Sequence, residues 1–303
     1  MLTDSSVKKI IVTGSNGHIG SHLVKYFSKL KNFETICIIN KKVNKKILKK
    51  NVKYIKHNLL KKIPKTKIKE KIHAVLHFAG AKNDREFVNK NKKKVLEGIK
   101  IDKNIIDFSV KKKINIFIYA SSAAVYDLSE GTKKNPFREE NVKKNTSFDG
   151  TYGYTKKITE NYLKRISTKK LKSVSCRIFS IYGKNTNTII NIWKKKILKN
   201  KKIDIWGKKK IIRSWLHLDD LIRAIYYLLE KKHRYKVVNI GSNERTSLIK
   251  IANIIGKKYK KKIKINYIDN NYPGPTIRFS DQKKLKLLGW RQKIYLNKGL
   301  DLI

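Results

Sequence analysis

The chain has 303 residues, 40% of them hydrophobic, which is enough to bury a sizeable core in one large or two modest domains. Its formal net charge of +52 would by itself favour nucleic acid or an anionic membrane as a partner. The lysines, however, are spread through every segment beside many isoleucines and asparagines, as an AT-rich coding sequence produces. We therefore expect no nucleic-acid or membrane partner, although the positive charge would favour anionic small substrates.

Cysteine use and hydropathy indicate a reducing compartment. Cys37 and Cys176 each lie within an apolar, β-branched stretch, which predicts two buried thiols instead of a disulfide. The first residues lead directly into an apolar run, with no room for a signal peptide, and no apolar stretch approaches membrane-spanning length. We expect a cytoplasmic protein.

The first elements along the chain are a strand, a glycine-rich turn and a helix. Residues 8–13 form a short apolar run that ends in TGSNGHIG, and residues 18–30 carry apolar positions at helical spacing. Further short runs rich in isoleucine and valine follow, separated by lysine-rich segments of helical length, at 35–39, 53–56, 73–78 and 114–120. This alternation predicts an α/β fold with a Rossmann-type doubly wound parallel sheet.

The second half of the chain predicts a smaller lobe. A helix that begins near Tyr152 and an apolar run at 171–179 continue the alternation, which becomes irregular beyond Gly183. We therefore predict a dinucleotide-binding domain over 1–182 and a smaller substrate-binding lobe, interleaved with it, over 183–303.

The glycine turn is typical of dinucleotide sites. Gly14, Gly17 and Gly20 are each three residues apart, which permits a tight turn, close approach of the backbone to a pyrophosphate, and close packing of the helix. The following helix N-terminus offers free amides to the phosphate charge. About twenty residues on, Asn40 and Lys41 replace the acid that often binds the adenosine ribose of NAD, which leaves NAD and NADP both open.

Several motifs in order carry a family resemblance. They are TGSNGHIG, HFAGA at 77–81, YASSAAVY at 119–126, YGYTK at 152–156, RIFSIYG at 177–183, RSWLHLDDL at 213–221, VVNIGS at 237–242 and the terminal RFSDQKKLKLLGW. Over nearly its whole length the chain resembles the extended short-chain dehydrogenase/reductases of the NAD-dependent epimerase/dehydratase family, which act on nucleotide sugars.

The resemblance implies a catalytic trio. Tyr152 would be the acid/base, Lys156 would bind the nicotinamide ribose, and Ser122 would hydrogen-bond the reacting oxygen. Tyr152 and Lys156 are four positions apart and share one helix face, and a neighbouring ammonium favours phenolate in a group whose free form titrates near 10.

The resemblance also implies the binding residues. The cofactor, NAD or NADP, would be held by Gly14, Asn16, Gly17, His18, Ile19, Gly20, Asn40, Lys41, Asn58, Leu59, Phe78, Ala79, Gly80, Tyr152 and Lys156. The nucleotide-diphosphate sugar would be held by Ser122, Ala123, Ser180, Arg213 and Arg278. The histidines, His217 included, show no metal-ligand spacing, so we predict no metal.

Four departures from the family pattern bear on the reaction. Residues 123–125 are Ala-Ala-Val where sugar 4,6-dehydratases of the family carry an acidic pair, which argues against dehydration. Ser180 replaces a common asparagine, Gly98 stands where an active-site asparagine often begins a helix, and Asp127 stands where glycine is usual.

The sequence thus predicts a nucleotide-sugar epimerase that acts at C4 through a transient keto-sugar. The main alternative is an NADPH-dependent 4-keto-sugar reductase. A more distant alternative is a non-catalytic basic binding protein on the same scaffold. The resemblance further implies a homodimer.

Overall fold

The computed structural model describes residues 7–41, 49–80, 85–126, 136–142, 150–166, 171–206, 211–268 and 277–303. The strands are β1 Lys8–Thr13, β2 Phe33–Ile39, β3 Val52–Lys56, β4 Ala74–His77, β5 Ile116–Ser122, β6 Lys172–Ile178, β7 Ile181–Tyr182, β8 Ile203–Trp206, β9 Ile212–Ser214, β10 Leu216–His217, β11 Val237–Ile240, β12 Arg245–Ser247, β13 Ile265–Ile268 and β14 Ile277–Arg278. The helices are α1 His18–Phe27, α2 Arg85–Lys90, α3 Lys92–Lys111, α4 Gly150–Ile166, α5 Ile189–Leu198, α6 Leu218–Glu230, α7 Leu248–Lys258, α8 Lys283–Leu287 and α9 Leu296–Asp301.

Seven strands form the main sheet, in the order β11-β6-β5-β4-β1-β2-β3. β1 pairs in parallel with both β2 and β4, so the order of strands along the chain reverses between β1 and β4. Ile10, Ile11 and Val12 are fully buried, as expected of a parallel strand covered on both faces. The predicted doubly wound sheet is confirmed, and its switch point lies at the carboxyl ends of β1 and β4.

Helix α1 is shorter than its apolar pattern predicts. The pattern extends to residue 30, but the helix ends at Phe27, and Ser28 closes it by donating from its hydroxyl to the carbonyl of Lys25, 3.0 Å away. Leu23, Val24 and Phe27 form the buried stripe of α1. Because α1 ends early, β2 can begin at Phe33, two residues before the apolar run at 35–39 that predicts this strand.

The chain divides into two compact units, each built from three segments. The first comprises Met1–Val125, Gly150–Cys176 and Ile225–Val237, and the second comprises Tyr126–Asp149, Arg177–Ala224 and Val238–Ile303. The first has a core of buried residues from the main sheet and its helices, which includes Phe117. The second has a separate core that includes Trp193 and Trp215. The domain boundary at residue 182 stays a prediction from the sequence.

The carboxylate of Asp220 connects helix α6 to a distant backbone segment within the second unit. Its fully buried carboxylate accepts hydrogen bonds from the backbone N–H of Lys293 (3.1 Å) and Ile294 (2.8 Å), and it also contacts the guanidinium of Arg223. A buried charge with several charge-assisted bonds fixes the chain around it. Within the described ranges, no helix is both long and apolar enough to cross a membrane.

Candidate active site

The glycine turn packs its backbone closely. Gly14 has φ of +69°, and a β-carbon there would overlap the carbonyl oxygen of Phe78 and lie 2.6 Å from the amide nitrogen of Ala79. A β-carbon at Gly20 would overlap the carbonyl oxygen of Gly14, and one at Gly17 would lie 3.1 Å from the same oxygen. Glycine is therefore required at residues 14 and 20 by the fold itself.

This turn fits a pyrophosphate. Gly17 is the N-cap residue of α1 and has no side chain, so it makes no side-chain hydrogen bond to the amides of the first helical turn. The turn is tied together by a hydrogen bond from the N–H of Gly17 to the carbonyl of Gly14, 2.8 Å long. Exposed backbone at a helix N-terminus, with His18 and Asn16 exposed beside it, matches the anion site that a dinucleotide needs.

The end of β4 lies beside the turn. The hydroxyl of Thr13 accepts the backbone N–H groups of Phe78 and Ala79, both at 3.2 Å. Gly80 follows with φ of +155°, and a β-carbon built on it would lie 3.6 Å from Lys156 Nζ. The HFAGA motif thus connects the glycine turn to the predicted catalytic lysine.

The three predicted catalytic residues all lie in the first unit. Ser122 is the last residue of β5 and is buried, and its hydroxyl accepts the N–H of Ala124 at 3.1 Å. Tyr152 and Lys156 lie one turn apart in α4, which packs against the 3-10 turn Ala123–Val125 that follows Ser122. The Lys156 ammonium is 5.5 Å from the centre of the Tyr152 ring.

Lys156 is held in place although it is charged. Only 6% of its surface is exposed, and its ammonium lies 4.7 Å from the centre of the Tyr119 ring. A cation on an aromatic face gains favourable electrostatic energy as it loses water. The fold therefore fixes the ammonium beside the Tyr152 phenol, as acid/base chemistry requires.

The residues predicted to bind the adenosine half lie near the ends of neighbouring strands. Asn40 follows β2 directly, and Lys41 is exposed after it. Asn58 follows β3, and its side-chain oxygen accepts the N–H of Leu60 at 3.0 Å. Leu59 is buried and belongs to the core, and its carbonyl accepts the side-chain amide of Asn104 at 2.8 Å.

Three of the five predicted substrate residues, Ser180, Arg213 and Arg278, belong to the second unit, whereas Ser122 and Ala123 belong to the first. Arg278 in β14 lies directly opposite Arg213 in β9, since the two strands pair in parallel with this register. Both side chains are half-buried. Ser180 lies just before β7, and its carbonyl accepts the N–H of Leu216 at 3.0 Å. Two guanidinium groups on adjacent strands suit a diphosphate.

The structure describes three of the four departures from the family pattern. Gly98 is the seventh residue of α3 and is buried, so the expectation that it stands near a helix start is wrong. The helix begins at Lys92, six residues before Gly98. Ala123–Val125 form a fully buried turn. Asp127 lies outside the described residues.

Sequence reasoning missed Asp102. It lies on the buried stripe of α3 with Val95, Ile105 and Ile106, and only 2% of its surface is exposed. An acid at a position of apolar periodicity is the signal that would have found it. Cys37 and Cys176 are free and buried, which confirms that prediction. No cluster of three or more metal-binding side chains occurs among the residues that the structure describes.

A family model for the NAD dependent epimerase/dehydratase family matches residues 10–241. The chain belongs to this family. The predictions of family and enzyme class are thereby confirmed, as is that of a nicotinamide dinucleotide as cofactor.

Curated relatives of this family member cover two reaction types. The dTDP-4-dehydro-6-deoxyglucose reductase of Escherichia coli is 30% identical over 76% of this chain and 73% of its own. The uncharacterized UDP-glucose epimerase YtcB of Bacillus subtilis is 26% identical over 92% of this chain and 91% of its own.

A solved structure confirms the fold of this family member. UDP-glucuronic acid 4-epimerase from Bacillus cereus, in complex with UDP-glucuronic acid and NAD, superposes with a TM-score of 0.86. The two chains are 24% identical, and the match covers 97% of each.

Proposed function

We propose that this protein is an NAD-dependent nucleotide-sugar 4-epimerase. The observation that carries the proposal is the buried Lys156 ammonium fixed between the rings of Tyr119 and Tyr152, in the unit that bears the glycine turn. Support comes from the UDP-glucose epimerase among its relatives and from the 4-epimerase that shares its fold.

Three side chains perform the proton chemistry in this proposal. When bound, the nicotinamide supplies the hydride acceptor and donor. Tyr152 takes the proton from the sugar hydroxyl and later returns it, while Lys156 stabilises the phenolate and binds the nicotinamide ribose. Ser122 donates to the sugar oxygen as it becomes a carbonyl. Inversion of the centre would require the keto-sugar to rotate, so that the bound dinucleotide could supply hydride to its opposite face.

The diphosphate of the substrate would be bound by Arg213 and Arg278. Their register places two planar, permanently charged groups on adjacent strands, which suits bidentate hydrogen bonds to phosphate oxygens. We also propose that Ser180 and Ala123 contact the sugar. The small apolar turn at Ala123–Val125 offers no acid to expel water, so the reaction would stop at epimerisation.

The first test is chemical. Purified protein is denatured and any released dinucleotide is identified, and the native protein is incubated with UDP-glucose and with UDP-glucuronic acid. A 4-epimerase carries or binds NAD and interconverts one of these sugars with its C4 epimer, read by anion-exchange chromatography. Dinucleotide binding without conversion of either sugar would contradict this substrate assignment.

The second test assigns Tyr152. Tyr152→Phe removes the proton shuttle, so we expect turnover to fall by at least about a hundredfold while dinucleotide affinity persists. Tyr154→Phe is the matched control, because Tyr154 is 44% exposed and lies two residues along the same helix. Equal activity in the two variants would refute the assignment.

A second candidate is a 4-keto-sugar reductase that uses NADPH. It is favoured by the 30% identical reductase and by Asn40 and Lys41, which replace the acid expected after β2. A reductase must release its cofactor in every cycle. Preferential, exchangeable binding of NADPH in calorimetric titration, with consumption of NADPH on a 4-keto-sugar, would favour it over the epimerase.

A further inference from the structure

A cluster of hydrogen-bonded polar side chains lies next to Lys156, the predicted catalytic lysine, in the first unit. Its members are Thr13, His77, Asp102, Tyr119 and Thr159, and all of them are buried. Asp102 accepts from His77 Nε2 at 2.8 Å through one oxygen, and from Tyr119 (2.6 Å) and Thr159 (2.7 Å) through the other. The proposed mechanism uses none of these hydrogen bonds.

Hydrogen-bond counting fixes the protonation of His77. Thr13 Oγ1 accepts two backbone N–H groups, from Phe78 and Ala79, so its own proton goes to His77 Nδ1, 2.6 Å away. Nδ1 is therefore an acceptor, and the ring proton is on Nε2, which donates to Asp102. A doubly protonated His77 would leave the hydroxyl proton of Thr13 without a partner in this cluster.

The same counting shows that Asp102 is ionised. One of its oxygens faces the N–H of His77, and the other receives two hydroxyl donors, so a carboxyl proton would have no acceptor. A neutral His77 and an ionised Asp102 leave one buried negative charge in the cluster. Such a charge requires a positive partner.

Lys156 is placed to be that partner. Its ammonium lies over the face of Tyr119, whose hydroxyl donates to Asp102, so Tyr119 contacts both charged groups. Burial by itself raises the pKa of the Asp102 carboxyl, but the Lys156 ammonium first, and then His77 and Tyr119, hold this pKa below its usual range.

Glu160 is the other carboxylate to consider. It is buried one helical turn after Lys156, and Ser121 donates to it at 2.6 Å. The titratable groups around the lysine are therefore Asp102 from α3, His77 from β4, Tyr119 from β5, and Tyr152 and Glu160 from α4 itself.

We propose that Asp102 is a positioning residue: an ionised counter-charge that fixes the protonated Lys156 ammonium beside Tyr152, where it would also bind the nicotinamide ribose. The oxygens of Asp102 accept hydrogen bonds from His77, Tyr119 and Thr159, so Asp102 acts through Lys156. The role given to Lys156 rests on the proposed function, whereas the ionised carboxylate and the neutral imidazole do not.

The first experiment measures the protonation state of His77 and needs neither a bound ligand nor enzyme activity. Histidines are labelled with ¹⁵N, and the His77 signals are identified by their absence in His77→Gln, which is practical with seven histidines. Long-range ¹H–¹⁵N correlation at pH 7 should show His77 neutral with its proton on Nε2. A doubly protonated ring would overturn the proposal, because His77 would then be the counter-charge.

The second experiment measures the NAD dissociation constant of Asp102→Asn at pH 7. Loss of the counter-charge leaves the ammonium without the carboxylate that fixes it, so the dissociation constant should shift upward about tenfold, and Asp102→Glu, which restores the charge, should reverse part of this shift. Tyr119→Phe is the matched control: it removes one hydrogen bond to Asp102 but keeps the carboxylate and the ring, and should retain the wild-type dissociation constant.

The outcomes separate the alternatives. An equal shift in Tyr119→Phe would assign the effect to hydrogen bonding, and a shift in Glu160→Gln without one in Asp102→Asn would make Glu160 the counter-charge; either overturns the proposal. If Asp102→Asn does not fold, the histidine spectrum of the wild type still decides whether His77 is neutral, as the proposal requires. Absence of sugar turnover in the wild type would count against the proposed function alone.

Discussion

Gly20→Ala tests whether the packing of the glycine turn builds the cofactor site. A β-carbon at residue 20 would overlap the Gly14 carbonyl oxygen and lie 2.6 Å from its carbon and 3.0 Å from Ser15 Cα. All three neighbours are backbone atoms, so no side-chain rotation relieves the overlap. Carbon contacts are most favourable at about 3.5–4.0 Å, so the start of α1 must move away from the turn by roughly 1 Å.

The expected cost combines three terms. Overpacking against backbone costs about 1–3 kcal/mol, and weakening the 2.8 Å hydrogen bond from Gly17 N–H to the same carbonyl costs about 1 kcal/mol. Alanine regains about 1 kcal/mol as the better helix former. The variant should be less stable by about 1–3 kcal/mol and, with the amides of α1 displaced, should bind NAD at least about tenfold more weakly.

Thermal melting and calorimetric titration of NAD measure the two effects. Gly98→Ala is the control for stability, since it makes the same change inside α3, where no described atom other than the nearby backbone of the helix itself lies within 4 Å of the added carbon. It should melt at or slightly above the wild-type temperature. Wild-type melting and NAD affinity in Gly20→Ala would refute the argument from close packing.

Two further predictions concern the cores. Gly299→Ala should lower the free energy of unfolding by about 1–3 kcal/mol, because the added carbon would overlap the buried Tyr182 hydroxyl and lie 2.7 Å from its ring carbon Cζ; an unchanged urea midpoint would contradict this. Burial raises the pKa of the Cys37 thiol to about 12 and also raises that of Cys176, so at pH 8 both stay protonated. A thiol reagent should then modify neither in the folded protein and both after unfolding in urea, and rapid labelling of the native state would show that these strands open.

Much of the site follows from local sequence patterns. The spacing of Gly14, Gly17 and Gly20 requires a tight turn before a helix, and the four-residue spacing of Tyr152 and Lys156 places them on one face. Both conclusions need only chain neighbours, because backbone conformation and helical periodicity are local properties. The end of α1 was less predictable, since the Ser28 hydroxyl competes with a continued apolar stripe.

The sequence by itself therefore determined the family and the glycine turn and predicted three catalytic side chains, while the tertiary structure decided which distant groups meet. No spacing rule joins Arg213 to Arg278, because their meeting depends on the pairing of β9 with β14. Asp102 meets His77 and Tyr119 only because α3 packs over strands β4 and β5, which neighbour each other in the sheet. The Lys156 ammonium and the hydrogen bonds then set the charge of that cluster against the effect of burial, and all of these exist only in the folded chain.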